Sequence, residues 1–110
     1  MRTQTGDIIL TQDIDATFQV CLFAGTGGGN GSIVDNNVTA GADVTATNVG
    51  LSALNGQIGA AGNPLETATN GLSAFATNDI NVQDIDTFRV GDFCGLTGVS
   101  SVTGNICLAT

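Results

Sequence analysis

Asn78-Asp79-Ile80-Asn81-Val82 opens with a pattern that occurs five times in the chain: a small or polar residue, a second residue, then isoleucine. The other four are Gly6-Asp7-Ile8, Gly31-Ser32-Ile33, Gly56-Gln57-Ile58 and Gly104-Asn105-Ile106, and the successive steps are 25, 25, 22 and 26 residues. A longer match shares the period. The segment from Asp7 to Val20, which contains Ile14, Asp15 and Phe18, reads with two single-residue gaps like the segment from Asp79 to Val90, which contains Ile85, Asp86 and Phe88. Shorter recurrences are Ala46-Thr47-Asn48 with Ala68-Thr69-Asn70, and Gly50-Leu51 with Gly71-Leu72 and Gly95-Leu96. Self-similarity at 20 to 30 residues, built from strand-type segments, is the signature of one coil per repeat.

Within a coil the apolar residues alternate. Ile80 and Val82 are expected to point inward with Asn81 outward, and Val44, Ala46 and Val49 inward on another segment. Turns fall where Gly and Asn cluster: Gly25 to Gly31, Asn36-Asn37, Asn55-Gly56, Gly62-Asn63-Pro64 and Asn70-Gly71. The fold class this predicts is all-β: a parallel β-solenoid of about four to five coils, roughly 25 residues per coil, spanning residues 1–110 as one domain. Its core ladder is a column of Ile8, Ile33, Ile58, Ile80 and Ile106.

Composition agrees with that architecture and excludes several functions. The chain has 110 residues, 42% of them hydrophobic, with 16 Gly, one Pro, five Phe and neither Trp nor Tyr. Thr, Asn and Gly favour short strands and turns over helices. A net charge of −8 with only Arg2 and Arg89 as cations offers phosphates no basic surface, so nucleic acid is not an expected partner. No apolar run is long enough for a membrane span. Met1 to Asp7 does not lead into a signal-peptide core, because Asp7, Asp13 and Asp15 interrupt the early apolar residues.

Gly6-Asp7-Ile8-Ile9-Leu10-Thr11 resembles the repeats of filamentous-haemagglutinin-type exoproteins. So, more closely, do Gly56 to Thr67 and Leu72 to Ile80. This family is secreted through an outer-membrane partner. The resemblance spans nearly the whole chain, without the family's signal peptide and amino-terminal secretion domain. It implies a right-handed parallel β-helix, an extracellular or cell-surface location, and an adhesive or structural role facing a host or cell-surface receptor. On that reading the chain is a segment of a longer solenoid or a self-stacking unit. Neither end offers a strand-covering cap, so head-to-tail pairing of copies into dimers or filaments is expected.

Candidate chemistry is sparse, and no enzyme activity and no cofactor are expected. Asp13/Asp15 and Asp84/Asp86 sit at a spacing of two, which puts each pair on one face of a strand; they read as a solubilising rim flanking inward Ile14 and Ile85, with Ca²⁺ binding or acid–base work as the alternative. Cys21, Cys94 and Cys107, without any His, do not make a zinc set. They admit a Cys94–Cys107 disulfide or three buried small side chains. The Gly25 to Ser32 run lacks the Lys and helix of a phosphate loop and reads as a mobile surface turn. Two sequons, Asn30-Gly31-Ser32 and Asn37-Val38-Thr39, are incidental. Thr45, Thr47, Thr67 and Thr69 form two Thr-x-Thr motifs one coil apart, the pattern of an ice-binding face and the alternative function. Glycan binding suffers from the lack of Trp and Tyr.

Overall fold

Residues 1–37, 41–85 and 87–110 are described by the computed structural model. They form twelve strands and no helix. In chain order the strands are β1 (Ile8–Leu10), β2 (Ile14–Asp15), β3 (Gln19–Ala24), β4 (Ile33–Asp35), β5 (Val44–Thr45), β6 (Asn48–Ala53), β7 (Leu65–Ala68), β8 (Gly71–Ala76), β9 (Ile80–Asp84), β10 (Arg89–Val90), β11 (Val99–Ser101) and β12 (Ile106–Ala109). Every strand–strand pair is parallel. Non-consecutive strands are neighbours, in the orders β3-β6-β8-β10 and β2-β5-β7-β9-β12, with β11 also on β8 and β1 on β4. The chain is therefore a β-solenoid of about four turns, with successive turns about 25 residues apart.

The five isoleucines are register partners in one unbroken column. Ile8 pairs with Ile33 and Ile80 with Ile106 inside strands. Isolated parallel bridges join Ile33 to Ile58 and Ile58 to Ile80. The three central members are fully buried, Ile8 is nearly so, and Ile106 on the last turn is 45% exposed. Ile106 has a column neighbour on one side only; Ile8, at the other end, also pairs on one side and is nevertheless 3% exposed, so the two ends are not covered alike.

A second set of inward columns runs through β3, β6 and β8. Val20, Val49 and Leu72 make one, Leu22, Leu51 and Ala74 another, and Ala24, Ala53 and Ala76 the third, all buried. The outward column beside them reads Cys21, Gly50, Ser73, and is covered in an unexpected way. Cys21 is disulfide-bonded to Cys94, 73 residues later in sequence, with their Cα atoms 5.8 Å apart. The segment between β10 and β11 thus crosses the outside of three turns as a strap. Ser73 Oγ donates to the Gly91 carbonyl and accepts from the Phe93 N–H. A Cβ on Gly50 would stand 2.6 Å from the Cys94 side chain, and one on Gly71 would stand 2.5 Å from the Phe93 ring. These two glycines clear the strap's path, whereas the sequence reading took Gly71 as part of a turn.

The disulfide corrects both cysteine readings. Cys94 and Cys107 lie on different faces, because Cys107 is on β12 opposite Asn81, exposed and unbonded.

The two ends differ. Met1–Thr3 lies along β3, where the Phe23 N–H donates to the Met1 carbonyl and the Thr3 N–H to the Phe23 carbonyl. That edge is covered, against expectation. β1, β2, β11 and β12 each pair on one side only.

Candidate site: a buried corner of three carboxylates

Asp35 ends β4. Alternation along Ile33, Val34 and Asp35 turns its side chain inward, so a carboxylate continues the position held by Leu10 one turn earlier. Its Oδ1 accepts from the Asn37 N–H at 2.9 Å, a local loop contact of the kind Asp favours. Its carbonyl accepts from Asn63 Nδ2 at 2.8 Å. Asp43 immediately precedes β5 and faces Glu66 on the next turn. The Asp43 N–H donates to the Glu66 carbonyl at 2.7 Å, and the Glu66 N–H returns a bond to Asp43 Oδ2 at 3.0 Å.

Carboxylate oxygens of Asp35, Asp43 and Glu66 all lie within 4.8 Å of one another. Asp43 is completely buried, Asp35 is 5% exposed and Glu66 is half-buried. Asp43 Oδ1 has no hydrogen-bond partner among the described residues; what faces it is carboxylate. Burial pushes the Asp43 carboxyl up to about 6. The charges of Asp35 and Glu66 push the same way, and only the Glu66 backbone N–H opposes them.

The consequence for stability has a definite sign. Asp43 takes up a proton at about pH 6 in the folded state but at 3.8 ordinarily. Its stabilising contribution is therefore complete below 3.8 and is lost as pH rises through 6. In buffer without divalent cations, urea titrations of Asp43→Asn should show a pH dependence smaller than that of the parent chain by on the order of 3 kcal/mol across that window. Identical profiles for the two proteins would mean that Asp43 does not hold the proton.

The acidic pairs named from sequence do not make up this corner. Asp13 and Asp15 are both exposed, with Asp13 accepting from Asn37 Nδ2. Asp84 is buried, against expectation: its Oδ2 accepts from Thr67 Oγ1 at 2.7 Å and the Thr69 N–H at 3.0 Å. Strict alternation from Ile80 through Val82 turns Asp84 inward and leaves Ile85 65% exposed. Asp86 lies outside the described residues, as do Val38 and Thr39 of the second sequon.

The four threonines do not form two aligned rungs. The register sets Thr45 against Ala68 and Val44 against Thr67. Thr67 is fully buried and Thr69 nearly so, whereas Thr45 is half-buried and Thr47 exposed; Thr45, Thr47 and Thr69 line a shallow groove with Ala16, Ala68 and Ile85, and Thr67 does not. Nor does the Gly-rich run stand free: Gly25 and Gly31 are buried, and the Gly27 N–H donates to the Gln4 carbonyl.

Compared with protein-family models, with curated proteins and with solved structures, the chain matches none of them.

Proposed function

We propose that the chain is a non-catalytic structural or adhesive module that stacks end to end with further copies of itself outside the cell. The observation that carries this reading is the last turn. There the inward columns run out uncovered: Ile106 is 45% exposed, and Val99, which continues the buried column of Leu51 and Ala74, and Leu108, which continues that of Leu65 and Val82, are only half-buried. β11 and β12 on that turn, and β1 and β2 on the first, offer free backbone donors and acceptors. Because every pair in the stack is parallel, the free edge of a last turn is directionally matched to the free edge of a first turn. Such a heterologous contact repeats without closing and builds a fibre.

The Cys21–Cys94 disulfide supports an oxidising location, where such bonds persist. Membership of the haemagglutinin-type adhesin repeats, and with it a cell-surface receptor, rests on the resemblance of Gly6 to Thr11, Gly56 to Thr67 and Leu72 to Ile80 alone.

Cys107→Ser protein, chosen so that exposed thiols cannot link copies, should show a light-scattering mass that grows with concentration and short rods in electron micrographs. Adding Ile106→Lys to that background places a charge on the free edge and should return monomers. A parent that stays monomeric at millimolar concentration would overturn the stacking.

A further inference from the structure

We infer that the corner formed by Asp35, Asp43 and Glu66 is a binding site for a hard divalent cation of the size of Ca²⁺. Two observations lead there independently. The first is the convergence itself: three carboxylates from two successive turns bring their oxygens within 4.8 Å of one another. Oxygens on the coordination shell of Ca²⁺, at a radius of about 2.4 Å, are at most about 4.8 Å apart, a condition that every pair among the three carboxylates meets. The second is Asp43 Oδ1, an oxygen in a fully buried residue that no donor among the described residues satisfies. Buried polar atoms are almost always partnered, and one that faces two further carboxylates has a cation as its natural partner.

The donor set fixes the chemistry of the ion. It is entirely oxygen, without the His or thiolate that Zn²⁺ and other softer metals take, and the one exposed thiol, Cys107, is on the terminal strand β12. Neither arginine serves the corner as a counter-ion: Arg2 lies over the Phe23 ring at 5.2 Å, and Arg89 is on β10, in the other sheet. Glu66, half-buried, is the side from which an ion and its remaining water ligands reach the corner.

Bound there, the ion joins Asp35, at the end of β4, and Asp43, just before β5, to Glu66 on the following turn. It ties consecutive turns on the β4–β5 side, whereas the Cys21–Cys94 strap ties the β3–β6–β8 side. The exposed Asp13/Asp15 pair borders this corner without belonging to it: Asp13 accepts from Asn37, whose N–H binds Asp35, and the Ile14 N–H donates to the Asp43 carbonyl.

The test is a thermal melt of the full chain after EGTA treatment, repeated with CaCl₂ and with NaCl of matched ionic strength. In the parent, the melting temperature should rise with the logarithm of calcium concentration once the site begins to fill, and NaCl should not reproduce the rise. Asp43→Asn should melt above the parent in EGTA, since it removes the repulsion, and should lose the calcium shift. Glu66→Gln, at a half-buried position that tolerates the change, should weaken calcium binding at least tenfold by calorimetry. Asp92→Asn, at an exposed position on the strap over the other sheet, should keep the full response. An unchanged parent melt in 10 mM CaCl₂, an equal shift in NaCl, or a calcium response surviving in Asp43→Asn would each overturn the site.

Discussion

Replacing Cys21 and Cys94 together by serine should lower the melting temperature by roughly 15–25 °C, the largest single loss expected for this chain. The bond closes a loop of 73 residues in sequence separation. A cross-link over that length restricts the unfolded chain by about 4 kcal/mol in the loop-entropy account. The native state loses something too. Without the bond the strap is held at its ends by β10 and β11 on β8 and by backbone bonds of Gly91 and Gly98, and in between by the Ser73 hydrogen bonds and the Phe93 ring on Gly71. A second substitution separates these contributions. Gly50→Ala should be costly in the parent, where the new Cβ meets the Cys94 side chain at 2.6 Å, and much milder in the serine double variant, where the strap can lift away. Scanning calorimetry of the four proteins completes the cycle. A serine double variant that melts within about 2 °C of the parent would show that the bond has no part in stability.

Ile58→Ala is the second large effect, expected to cost about 3–4 kcal/mol in urea titration. Ile58 is fully buried and stacked between Ile33 and Ile80, so truncation leaves a void with partners on both sides. Ile106→Ala removes the same atoms from the same column at its half-exposed end and should cost under about 1 kcal/mol. The ratio matters more than either figure, because it reports nearest-neighbour coupling along the stack. Equal losses at the two positions would be incompatible with a continuous column.

The column was legible because a solenoid repeats its cross-section: whatever fills one interior position recurs after one turn, and Ile8, Ile33, Ile58, Ile80 and Ile106 do so. The same logic failed wherever it had to be accurate to one residue. Aligning Thr45-Ala46-Thr47 with Thr67-Ala68-Thr69 assumes a step of 22, and the strands there are paired at 23. A slip of one residue exchanges the two faces of a strand, which is why Thr67 and Thr69 are interior while Thr47 is exposed. Asp84 and Ile85 were misassigned for a related reason: residue type suggested Ile inside and Asp outside, and alternation from Val82 decided otherwise.

The carboxylate corner had a partial signal. Asp43 and Glu66 are 23 apart, the local pairing step, but Asp35 and Asp43 belong to one turn, and the repeat spacing gives no rule for contacts within a turn. The strap was hidden further. Gly50, Gly71 and Ser73 are small because something crosses over them, and a sequence containing 16 glycines does not distinguish clearance from corner-turning.

The strap also sets how this molecule responds to being pulled. Tension applied through its two ends can unravel only the residues before Cys21 and after Cys94; fully drawn out, these lengthen by on the order of 120 Å, about a third of what the whole chain would yield. Everything between the cysteines is bypassed by a covalent link and keeps its coils under load. A thread assembled from such units would stiffen after a short, fixed extension at each link.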